Sequence, residues 1–81
     1  MKVDVKLFAV LREIAGREQV TLELPEPVAL AELFEQLSAD HPGLTRYQTI
    51  TSFALNGEYA EPATIVNDGD EVALIPPISG G

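Results

Sequence analysis

The sequence predicts an α+β domain, a sheet with one main helix lying across one face. Three observations lead there. Strand-like alternation occurs near both ends of the chain, in "KVDVKLF" and "EVALI". Between them a single long stretch, "VALAELFEQLSADHPG", changes to helical spacing. The chain has 81 residues, enough for one small domain and not two. Strands from both ends must share a sheet to bury their apolar faces, and the amphipathic helix covers that sheet.

Each element follows from a local pattern. In "KVDVKLF", Val3, Val5 and Leu7 point one way and Lys2, Asp4 and Lys6 the other, a half-buried strand. "AVLREIAG" supplies about two turns of helix formers, closed by Gly16 as a C-cap. "EQVTLELPEP" alternates again, with Val20, Leu22 and Leu24 inward, and Pro25 and Pro27 stop it. In the long stretch, Leu30, Leu33, Phe34 and Leu37 form one apolar stripe. No Ser, Thr, Asp or Asn caps its start, so that boundary is left open, and "HPG" ends it. Residues 44–52, "LTRYQTITS", carry no legible pattern and read as loop. "FALNGEYA" is a strand entering a turn at Asn56-Gly57. "NDGDEVALI" is a turn at Asp68-Gly69 and then a strand with Val72 and Leu74 inward. Residues 76–81 have no core-facing pattern. The expected organisation is therefore a folded domain over 1–75 and an extended tail over 76–81.

Composition excludes several functions. There is no cysteine, which removes disulfides, thiolate metal sites and a cysteine nucleophile. Thirteen acidic and 5 basic residues leave a net charge of −8, a surface that repels nucleic acid and anionic lipid and favours a basic docking face. "MKVDVKLFAV" is too charged for a signal-peptide core, and no apolar run approaches the roughly 20 residues of a membrane span. A soluble, cytoplasmic protein is expected. His41, the only histidine, sits beside Pro42 and Gly43 and is expected to be a solvated helix-end residue. The acids of "NDGDE" lack the ligand spacing of a calcium loop and suit turn chemistry instead. No metal site is expected. With no converging catalytic groups, the chain is not expected to be an enzyme on its own.

What remains is the terminal "IPPISGG". A frayed end of small residues is one reading. The other starts from Pro76-Pro77, which removes two backbone donors and fixes two φ angles, so the tail leaves the last strand stiff. Six residues at about 3.3 Å each reach roughly 20 Å. Gly80 and Gly81 carry no Cβ and fit a channel too narrow for other residues. Such an arm delivers the α-carboxylate of Gly81, which becomes reactive once activated as an acyl-adenylate.

"VKLFAVLREIAG", "FALNGEYA" and above all "NDGDEVALIPPISGG" resemble the small subunit of molybdopterin synthase, the MoaD family of ubiquitin-like sulfur carriers. The resemblance implies a β-grasp fold: a mixed sheet, one main helix across it and a flexible C-terminal tail. It also implies a cycle. An adenylyltransferase of the ubiquitin-activating type (MoeB-like) uses ATP to form an acyl-adenylate on Gly81. A sulfur donor system converts it to a thiocarboxylate. The tail then docks in the large synthase subunit (MoaE-like), where sulfur passes to cyclic pyranopterin monophosphate, and two such transfers complete the dithiolene of molybdopterin. No cofactor is held permanently. The family's heterotetramer of two small and two large subunits is expected on the same ground.

Docking follows partly from the strands themselves. If Leu7 and Leu74 face the core, period two turns Phe8 and Ile75 to the open face. An exposed apolar pair reads as a binding patch. Burial of Phe8 under the short helix is the alternative. The resemblance adds Tyr59 to the patch, and the partner-binding set becomes Phe8, Tyr59, Ile75, Pro76, Pro77, Ile78 and Ser79, with Gly80 and Gly81 as the reactive tail. Arg12 either pairs with an acid or is solvated. Three other functions share these features: a thiamin-pathway sulfur carrier, a protein modifier forming isopeptide bonds, and an interaction module with an incidental diglycine.

Overall fold

The computed structural model describes residues 1–77. The chain runs β1 (Lys2–Leu7), α1 (Ala9–Ala15), β2 (Gln19–Glu23), β3 (Val28–Ala29), α2 (Leu30–Asp40), a 3-10 segment (Pro42–Ile50), β4 (Ser52–Leu55), β5 (Glu58–Ala60), β6 (Ile65–Val66) and β7 (Glu71–Ile75). Five strands form one mixed sheet in the order β2-β1-β7-β4-β5, and β3 and β6 form a separate two-stranded ribbon. The first and last strands lie side by side in parallel, with Leu7 opposite Leu74, while the other pairs of the large sheet are antiparallel.

Alternation decides which face is dry. Val3, Val5 and Leu7 from β1, Val72 and Leu74 from β7 and Phe53 from β4 are buried together with Leu30, Leu33, Phe34 and Leu37 of α2. Phe34 meets Phe53 edge to face, with centroids 6.2 Å apart and planes at 90°, the arrangement that ring quadrupoles favour. Each such fully buried side chain contributes about 1.5–3 kcal/mol. The polar positions of the same strands face solvent, where Lys6 pairs with Glu71 at 3.3 Å and Thr21 donates to Asp4 at 2.8 Å. Such exposed pairs add little to stability.

One expectation is corrected, and two open points at element boundaries are filled in. Residues 44–52 are not a loop: Pro42–Ile50 is a 3-10 helix whose Leu44 is completely buried. Leu44, Tyr47 and Ile50 recur every third residue, the 3-10 repeat, and neither a 3.6 nor a 2.0 period detects it. The open boundary before α2 resolves at Leu30, because Val28 and Ala29 pair with Val66 and Ile65 instead. Finally, Pro76 is buried and Pro77 exposed. Val72, Leu74 and Pro76 share one parity, so the core-facing alternation of β7 runs one position past the last strand residue.

Candidate functional site

The parallel register of β1 and β7 builds the site. Leu7 faces Leu74 across the ladder, so the next residues, Phe8 and Ile75, emerge side by side at one end of the sheet. Adjacent strands lie about 4.8 Å apart, close enough for these side chains to form one surface. Two segments then flank them. Pro76-Pro77 leads the chain out beside Ile75, and α1 folds back from Phe8. The result is a groove of about 650 Å³ lined by Phe8, Ala9, Val10, Glu13, Ile75, Pro76 and Pro77. Phe8 is 43% exposed, not buried under α1. Ile75 is half-buried and Pro77 exposed. Phe8 also lines a second depression of about 310 Å³ with Lys6, Arg12, Glu18 and Gln19. One ring is thus shared by an apolar groove and a charged one.

Tyr59 stands apart from the groove. It lies on the edge strand β5 opposite Ala54, which in turn faces Ala73 of β7. Ala73 and Ile75 share the open face, so two alanines make a shallow floor between Ile75 and a tyrosine that is 79% exposed. Of the expected partner-binding residues, Phe8, Ile75, Pro76 and Pro77 are brought together and Tyr59 borders the same face. Ile78, Ser79, Gly80 and Gly81 lie outside the described residues.

Several lining residues escaped the sequence reading. Ala9, Val10 and Glu13 were assigned only to a short helix. The recognisable signal was that a helix starting directly after Phe8 must place its first turn beside it. Glu13 is the one charged residue lining the groove. Arg12 does not face the groove: its Nη1 lies 3.5 Å from Glu18 Oε1. His41 is the C-cap residue of α2, partly exposed, and its backbone N–H donates to Leu37 O at 3.0 Å. No cluster of His, Asp or Glu suited to a metal ion occurs among the described residues. Among the same residues, no helix is long and apolar enough to cross a membrane.

Comparison with known proteins bears on family and fold. Residues 5–81 match the ThiS family. A molybdopterin synthase sulfur carrier subunit of Chlamydomonas reinhardtii is 43% identical, and the alignment covers all of both chains. Among solved structures, small archaeal modifier protein 1 of Haloferax volcanii superimposes with a TM-score of 0.84 at 29% identity, over 95% of this chain and 98% of that one. A protein-protein complex of subunits 1 and 2 of the molybdopterin-converting factor of Helicobacter pylori contains a chain matching with a TM-score of 0.69 at 27% identity, over the full length of both. Likeness over nearly the whole chain, in sequence and in fold, means that this chain belongs to the ThiS family and groups with the molybdopterin synthase sulfur carrier subunits.

Proposed function

We propose that this chain is the sulfur-carrier small subunit of a molybdopterin synthase. The full-length likeness to a sulfur carrier subunit of that enzyme is the observation that carries the reading. The groove beside Pro76 and Pro77 supports it, because it offers an apolar foothold at the point where the tail departs. In this reading the Gly81 carboxylate attacks the α-phosphate of ATP on a MoeB-like partner, forming an acyl-adenylate and releasing pyrophosphate. A sulfur nucleophile from a donor system then adds to the carbonyl and displaces AMP, leaving a thiocarboxylate. The large subunit receives the tail, and its substrate, cyclic pyranopterin monophosphate, takes the sulfur. The chain supplies docking and delivery, and its partners supply the sulfurtransferase chemistry. All of this suits a cytoplasmic setting. Seating on a partner through Phe8, Ile75 and Tyr59, with the tail beyond Pro76 in that partner's channel, completes the reading.

The test is an intact mass after incubation with ATP, a ubiquitin-activating-type partner and a sulfide source. A gain equal to one oxygen replaced by sulfur, mapped to Gly81 and lost when Gly81 is deleted, is expected. No gain, with the partner active on a control carrier, would refute the function. The likeness to an archaeal modifier protein favours a second reading, in which the same activated glycine forms an isopeptide bond with a lysine amine. Covalent adducts on other proteins in cell extract are the outcome that would support it.

A further inference from the structure

Ala9 has a φ of 50°, in the left-handed region that a Cβ disfavours. Among the described residues, Asn56 is the one other non-glycine with positive φ. Asn56 sits in an Asn-Gly hairpin turn, where that conformation is ordinary. Alanine has no polar side chain to compensate. The strain therefore comes from the surroundings, and they are specific. Phe8 is still extended, with φ −122° and ψ 153°. Its carbonyl already accepts from Leu11 N–H at 3.1 Å and Arg12 N–H at 3.4 Å. Ala9 is thus a one-residue corner between a strand that ends at Leu7 and a helix that begins at once. Phe8 is the single position between the two elements, and the Ala9 corner sets the course of α1, whose Val10 lines the same groove as the Phe8 ring. Strained backbone that lines a recognition groove is a frequent device for preorganisation.

Resting on the docking reading above, we propose that Ala9 is a positioning residue: its left-handed corner holds the Phe8 ring in one orientation on the open face, ready for the partner. An alanine keeps the corner from exploring the wider conformations that glycine permits. The cost in strain is accepted in exchange for a fixed anchor. A right-handed conformation at Ala9 would redirect α1, and with it the wall of the groove formed by Val10 and Glu13.

Two variants test this, Ala9→Gly and, by chemical synthesis of the chain, Ala9→D-Ala. Glycine relieves strain but loosens the unfolded chain, so Tm is expected to stay within about 4 °C of the parent. Phe8 side-chain couplings measured by NMR should then show averaging over the staggered rotamers. With about one in three molecules competent, Kd for the large synthase subunit should rise about threefold. D-alanine prefers positive φ, so it should raise Tm by roughly 4–8 °C and restore both a single Phe8 rotamer and the parental Kd. A glycine variant with one Phe8 rotamer, or with the parent's affinity, would overturn the proposal. So would a D-alanine chain that binds as weakly as the glycine variant, since the L-methyl contact would then be the cause. If the unsubstituted chain fails to bind the large subunit, the docking reading falls by itself, and the rotamer measurement still decides the role of Ala9.

Discussion

Replacing Phe8 by alanine separates the ring's two loyalties, one to its own fold and one to a partner. The ring is 43% exposed. Of the roughly 200 Å² that a phenylalanine offers, about 85 Å² is therefore free to be covered by a partner and about 115 Å² is covered by the chain itself. At about 25 cal/mol per Å², the free part is worth about 2 kcal/mol in docking, and the covered part up to about 3 kcal/mol in folding. A domain of 81 residues has roughly 4–12 kcal/mol of stability, so the variant still folds near room temperature. The expected result is a Kd for the large synthase subunit raised about thirtyfold, measured by titration calorimetry at a temperature where the far-ultraviolet spectrum is native. Thermal melts of the free chain report the folding part separately. A Kd changed by less than about threefold in a variant that is demonstrably folded would refute the reasoning, because the exposed part of Phe8 would then face no partner.

Leu44→Ala tests whether the 3-10 segment is part of the core. Its side chain is wholly buried, so the substitution should cost about 3–4 kcal/mol and lower Tm by more than about 10 °C, and a shift below about 4 °C would mean that the segment only covers the surface. Gly16→Ala tests the C-cap of α1. Nothing lies within 4 Å of a Cβ built there, so the φ of 73° alone should lower Tm by roughly 4–8 °C, and an unchanged melt would show that the turn relaxes freely.

The elements with a strong period were legible in the sequence. β1 and β7 alternate cleanly, α2 carries a four-residue apolar stripe, and Gly16, Asn56-Gly57 and Asp68-Gly69 punctuate the boundaries, so the α+β class and the order of elements followed. The weakly patterned parts were not legible. A 3-10 helix of nine residues matches neither common period, and the two-residue strands β3 and β6 are too short to show any alternation. They exist because each finds the other across α2, the 3-10 segment, β4 and β5, which is information no window of sequence contains. The candidate site divides the same way. That Phe8 and Ile75 leave the core face was readable from parity. That α1 begins directly after Phe8, turns on a strained Ala9 and brings Val10 and Glu13 to the same groove as Pro76 was not.

By itself the sequence determined which faces are apolar, where the chain turns, that no cysteine chemistry is available and that two glycines follow a proline pair. Those properties are local, set by side-chain volume, charge and backbone freedom at each position. Only the tertiary structure decided that the first and last strands pair in parallel at the centre of the sheet. That pairing joins residues more than sixty positions apart, and its register alone sets Phe8 beside Ile75 at the root of the tail. Register is a property of two strands together, fixed by how both bury their apolar faces against one helix, so neither strand's sequence could specify it alone.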